Sequence, residues 1–276
     1  MATIRSRRLG RALQQLRVDA GLDREEVARE LECSVRTLER TEKGSTVPSV
    51  PDFESMLALY GGTTPDQAAV LRELRKNAKR RGWWAAFGDV LDGTYVGFED
   101  EAQTIRSFQA QVIPGLLQTE EYSRAILDAV RPDDPEGNEV RVRARMARKP
   151  LLRRADPPAP DLYVVLDEAA LRRQVGSPAI MRAQLSELWS ASQKPNIRIQ
   201  IVPFTAGAHA GAQGSFVILS FGPYDPDVIY VEGRAGDLYP ESAKAINTFN
   251  LDWERLLKVS LSPQESAEML ADMTKE

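Results

Sequence analysis

One cysteine, Cys33, and one histidine, His209, are all that 276 residues contain of the two side chains most used for thiol, imidazole and zinc chemistry. A lone cysteine cannot close a disulfide within the chain, and with a single histidine it cannot assemble a tetrahedral zinc set. Aromatic residues make up only 7%. No apolar run approaches the ~20 residues that a membrane-spanning helix needs. The opening MATIRSRRLG lacks the apolar core of a signal peptide, so the expected location is the cytoplasm. There is no internal repeat and no low-complexity tract.

Recognisable catalytic sets are missing as well. Gly207, Gly211 and Gly214 punctuate the loop TAGAHAGAQG, but their spacing fits neither a P-loop nor a dinucleotide fingerprint, and the P-loop lysine is absent. Ser215 has no base in a triad-like pattern. Glu168 and Glu232 are the best carboxylate pair, yet helix capping or pairing with an arginine-rich helix explains them equally well. His209, in that glycine loop, is either a ligand contact or an ordinary loop side chain. Neither an enzyme nor a cofactor is expected.

What remains is an ordinary globular composition, 42% apolar and 28% charged, long enough for two domains. The net charge of −4 conceals an asymmetry: residues 1–82 carry 16 Lys+Arg against 12 Asp+Glu, the remainder 20 against 28. A basic first part suits a polyanionic partner and an acidic second part does not.

Residues 23–43, DREEVARELECSVRTLERTEK, read as two short helices joined by a tight turn. Asp23 can cap the first helix, with Glu26 three residues on completing a capping box. Val27, Ala28 and Leu31 give it an apolar face. Glu32-Cys33 form the turn, Ser34 caps the second helix, and Gly44 ends it. Val35 and Leu38 point inward; Arg36, Thr37, Glu39, Arg40 and Lys43 point outward. Amphipathic helices flank the pair, one over residues 8–20 and another over 52–60, with a further helix over 65–81. Expected base-reading residues are Arg36, Thr37 and Arg40, with Glu39 accepting from a cytosine amine or orienting an arginine. Arg24, Ser34 and Lys43 are placed for phosphates.

With the LRxxxGL run at residues 16–22, the EEVARELECS turn and the SVRTLERTEKG helix, this five-helix order resembles the lambda-repressor/Cro-like (XRE) helix-turn-helix family. The resemblance implies sequence-specific binding of double-stranded DNA by a homodimer.

Beyond Trp83-Trp84 we expect a helical stretch over 83–155, including a helix at 99–108, a Pro114-Gly115 turn, a helix capped by Thr119 and an arginine-rich helix at 140–152. Strands follow at 162–166, 197–202, 215–221 and 228–232, with a hairpin at 233–239 and a helix over 240–261. The expected fold class is α+β: an all-α DNA-binding domain, 1–82, then a larger domain, 83–276, with a short-stranded mixed sheet. The markers of the second part are Trp83-Trp84, PGLLQT-x-EY, LDE-x-A-L-R-R-x-V-G, P-N-I, G-x-F and YVE. Together they resemble the large domain of unknown function that follows an XRE helix-turn-helix in actinobacterial, WhiJ-like and antitoxin-like regulators. That resemblance implies a small BldB-like partner protein. A small-molecule effector is the alternative. Trp83, Trp84, Leu116, Leu117, Tyr122, His209 and Glu232 are the candidate contacts.

Overall fold

Side-chain caps and glycine stops cut the first part of the chain into helices. The computed structural model describes residues 4–78, 82–90, 93–222, 225–233, 236–240 and 242–275. It divides into two units, Met1–Ala85 with Phe221–Pro226, and Ala86–Ser220 with Asp227–Glu276.

In the first unit, α1 (Ile4–Asp19), α2 (Arg24–Glu30), α3 (Val35–Glu42), α4 (Val50–Tyr60) and α5 (Pro65–Asn77) enclose one core. Leu9, Leu13, Val27, Leu38, Phe53 and Ala78 are its most buried members. Asp23 and Glu26 form the expected capping box. Ser34, Ser49 and Thr64 cap α3, α4 and α5. Glu32 sits at φ 50° in the turn between α2 and α3, the left-handed region that side chains other than glycine rarely occupy. Cys33 and Val35 are half-buried rather than core. Residues 79–81 of the helix expected over 65–81 lie outside the described residues.

The second unit is built on a five-stranded sheet of order β3-β2-β1-β4-β5. The strands are β1 (Thr104–Gln109), β2 (Asp161–Asp167), β3 (Ile197–Val202), β4 (Phe216–Ser220) and β5 (Val228–Tyr230). β1 pairs parallel with β2 and antiparallel with β4, and β2–β3 is parallel. Its helices are α6 (Gly93–Glu101), α7 (Glu120–Val130), α8 (Pro135–Met146), α9 (Glu168–Arg172), α10 (Pro178–Ser192), α11 (Ala243–Val259) and α12 (Pro263–Met273). On one sheet face Phe108, Val165, Phe216, Ile218 and Ile229 pack with Trp253 and Leu256 of α11. α10 and α12 pack on each other and on β3. The outer edge of β3 is closed by the Leu261–Ser266 segment: Leu261 N–H donates to Ile201 C=O at 2.8 Å, and Ile201 N–H to Ser266 Oγ at 3.1 Å. Both backbone groups of Ile201 are thereby taken, which blunts this edge as a template for a foreign strand.

Several expectations are corrected here. The helix expected over 99–108 ends at Glu101, and TIRSFQ becomes β1, the central strand. Its Ile105 and Phe108, at 1% and 0% exposure, find partners on both sides that no local pattern reveals. The arginine-rich helix starts earlier, at Pro135, and ends at Met146 before a 3-10 turn, Lys149–Arg153, that contains Pro150. The expected hairpin at 233–239 reduces to a single bridge between Val231 and Leu238. The helix expected over 240–261 is α11, Ala243–Val259. Beyond it α12 stands outside the expected elements, opened by a second capping box of Ser262 and Glu265 with Pro263 in its first turn.

Candidate nucleic-acid interface

α3 is held so that one face is committed and the other is free. Leu38 is its core residue. Ser34 Oγ accepts from Thr37 N–H at 3.1 Å and also pairs with the Thr37 hydroxyl at 2.8 Å. α1 abuts the far end: a Cβ at Gly10 would lie 2.3 Å from the Glu42 carbonyl oxygen, so only glycine permits the approach.

Beneath α3 lies a buried charge cluster. Glu42, its side chain 1% exposed, receives Arg17 Nε on Oε1 at 2.6 Å. It receives Arg24 Nε on Oε2 at 2.8 Å. Arg17 also donates to the Leu22 carbonyl at 2.7 Å, so one carboxylate ties α1, α2 and the loop between them to the recognition helix. Burial, with the nearby Glu42 charge, pushes the Tyr60 phenol up to about 12. Neither Arg17 nor Glu42 stood out in the sequence. Arg17 belonged to a motif without an assigned role, and Glu42 looked like one more charge on an exposed helix.

On the outer face Arg36, Thr37 and Arg40 are exposed, Glu39 is half-buried, and Lys43 stands exposed at the C-cap. Among the described residues Arg36, Arg40 and Lys43 form no ion pair. Arg24, expected at phosphates, is instead drawn to Glu42, with Glu39 Oε1 3.9 Å from its Nη1. The structure thus brings Ser34, Arg36, Thr37, Glu39, Arg40 and Lys43 together on one short helix and its cap. Arg24 sits behind them as a brace.

The residues expected to receive a partner or effector do not converge. Trp83 and Trp84 meet edge to face, centroids 6.0 Å apart, with Trp83 exposed and Trp84 half-buried. Leu116, Leu117 and Tyr122 are core residues, at 4%, 2% and 0% exposure, and form no surface. The PGLLQT turn is held from inside: Gln184 takes the Thr119 N–H at 2.7 Å and donates to the Leu117 carbonyl at 2.8 Å. His209 is spent on the fold. Its Nε2 pairs with Asp167 Oδ2 at 3.0 Å, and Nδ1 accepts from Gly211 N–H at 3.1 Å, which anchors the glycine loop to the end of β2. It also borders an open cleft of about 480 Å³ with Gln213, Asp252, Arg255 and Val259. Glu232 is exposed. Glu168 does not pair with the arginine-rich helix. It holds Arg172 and the Phe204 N–H.

Among the described residues no helix is long and apolar enough to cross a membrane. Within the same residues no group of three or more His, Cys, Asp or Glu side chains is placed to hold a metal ion. Residues 8–71 match a helix-turn-helix domain family. Residues 93–272 match a domain of unknown function (DUF5753). No curated protein and no solved structure matches the chain.

Proposed function

The chain belongs to the DUF5753 family, and on that premise we propose that it is a sequence-specific transcriptional regulator acting as a repressor. The observation that carries this reading is the free outer row of α3, Arg36, Thr37 and Arg40, on a helix braced by buried charge. An arginine fork can take the O6 and N7 of guanine bidentately, and the N-terminal end of the second helix is the part that enters the major groove. Such a regulator is of the lambda-repressor/Cro-like (XRE) kind and works in the cytoplasm as a homodimer. One short helix covers too few base pairs for tight specific binding, so a pair reads two half-sites. Selection of bound duplexes from a random pool tests this. The expected motif has two half-sites with centres 10–10.5 base pairs apart or a multiple of that; no enrichment over bulk DNA at defined salt refutes it.

The larger domain is the input. In the first reading it receives a small BldB-like partner protein, as the sequence likeness to WhiJ-like and antitoxin-like actinobacterial regulators implies. The open cleft bordered by α11 supports that reading. In the second it takes a small-molecule effector, which the unspent guanidinium edge of Arg145 favours. Co-purification from the native host, with proteins and small molecules identified by mass spectrometry, separates the two.

A further inference from the structure

Two arginines near the end of α8 flank Gly115, Arg148 through Nη1 and Arg145 through its Cγ and Cδ methylenes, 3.7 and 3.6 Å from where a Cβ on Gly115 would stand. They are not equally satisfied. Arg148 spends Nε and Nη2 on the two oxygens of Glu99, at 2.7 and 2.6 Å. Glu99 is 1% exposed, so this fork is fixed. Burial opposes the charge of Arg148, but Glu99 holds its pKa above the ordinary arginine value. The remaining nitrogen, Nη1, lies 3.2 Å from where a Cβ on Gly115 would stand. Arg145 spends only Nη1, on Gln118 Oε1 at 2.7 Å and Ser123 Oγ at 3.3 Å. Both are neutral acceptors. Its Nε and Nη2, the edge with which Arg148 grips a carboxylate, have no acceptor among the described residues, and they are not sealed in the interior.

Charge points the same way. Burial and then the neighbouring Arg148 pull the Arg145 guanidinium down to about 10. Glu232 counters this from outside ion-pair range, and Tyr122 adds to the counter-effect. Nearby Lys149 is spoken for: it donates to the Gln118 carbonyl and pairs with Glu187 at 3.0 Å. A half-buried cation with a free planar fork, beside a second cation neutralised only on its far edge, lacks an oxyanion. A structural arginine of this burial would be expected to hold a carboxylate of its own.

We propose that Arg145 and Arg148 bind the oxyanion group of a small molecule, a carboxylate or a phosphoryl group, over the face of Gly115. The proposal rests on the second reading above, that the larger domain takes a small-molecule effector. Arg145 supplies the bidentate fork through Nε and Nη2, and Arg148 adds a single donor through Nη1. Gly115 keeps the approach open, because any side chain there would press on an Nη1 that Glu99 does not allow to move.

The test uses the full chain without DNA. Sodium phosphate and sodium acetate are titrated against sodium chloride at matched ionic strength, with heat of binding and thermal midpoint as readouts. We expect a saturable response to phosphate or to acetate and none to chloride; the anion that saturates identifies the chemistry. Arg145→Gln should weaken binding at least tenfold and Gly115→Ala at least threefold, while Arg143→Gln, on the exposed face of α8, should leave it unchanged. If Arg145→Gln does not fold, Gly115→Ala decides. A response that never saturates, or saturation that neither Arg145→Gln nor Gly115→Ala alters, overturns the proposal. The two failures are distinct: no anion binding here while co-purification recovers a small molecule overturns this site alone, and co-purification that recovers only a partner protein overturns the effector reading on which it rests.

Discussion

Replacing Glu42 by glutamine preserves the shape of the side chain and removes the charge on which the first unit is braced. Glu42 and Arg17 are 1% and 9% exposed at their side chains, and their closest contact is 2.6 Å. Arg24, at 33%, is partly screened by water and contributes less. A glutamine offers one oxygen where two are now used, so its amide NH2 must face either the Arg17 or the Arg24 guanidinium, donor against donor. Breaking a buried pair by removing one partner costs about 3–5 kcal/mol, because the other charge stays buried. Taking the lower figure, and roughly 4–8 °C per kcal/mol for a domain of this size, the thermal midpoint of the helical unit should fall by roughly 12–24 °C. Calorimetry on the full chain, following the transition that involves residues 1–85, measures it. Combining Glu42→Gln with Arg17→Met should recover part of the loss, since it removes the buried guanidinium that Glu42→Gln leaves unpaired, while the partly exposed Arg24 can turn to water. A midpoint within about 3 °C of the parent for Glu42→Gln alone, or no recovery in the double variant, would refute the idea that this cluster braces the recognition helix.

Three further outcomes are expected. Arg36→Ala should cost about 1–3 kcal/mol of operator binding and relax selectivity at one base position, and Arg40→Ala should do the same at another; competition titrations against single-base operator variants read both effects. Lys43→Ala should lower the slope of log affinity against log salt by about 0.9, whereas Arg24→Ala should leave that slope in place and lower stability instead, which distinguishes a phosphate contact from a brace. Tyr60→Phe should leave stability unchanged or raise it by up to about 1 kcal/mol, because the Tyr60 hydroxyl is buried and has no hydrogen-bond partner among the described residues. Urea denaturation reads this directly, and a loss above about 1 kcal/mol would show that the hydroxyl has a partner.

How far the sequence could be read depended on whether its signals were local. The caps at Asp23, Ser34 and Thr119 each rest on a side chain three residues or fewer from its partner, so they were legible. The outward set of α3 followed from helical period alone. β1 was not legible: TIRSFQ follows a helix, and its strand character comes from β2 and β4, far along the chain. The burial of Glu42 and Glu99 was equally hidden. Each lies on a short helix with more than one carboxylate, and only packing decides which charge faces inward. PGLLQT was singled out correctly as a unit but read as surface, since Leu116, Leu117 and Tyr122 look alike whether they cover a partner or their own core. The serine and glutamate that open α12 carried an available signal, a capping box, just beyond the helix read over 240–261.

The placement of β1 also governs how the chain can be made. Thr104 pairs on one side with Asp161 and on the other with Ser220, so the strand at the centre of the sheet is the first strand synthesised and gains its second neighbour only after β2 and β3 have been made. The five helices of the first unit, α1 to α5, make mainly local contacts and can close early during synthesis, whereas the sheet must wait for distant partners, and such non-local pairing is slow. Until β4 has left the ribosome, β1 presents an open, apolar edge of the kind that recruits other chains. A chain cut within residues 170–215 would therefore be expected to yield a folded helical unit tethered to an aggregating remainder rather than a smaller soluble domain.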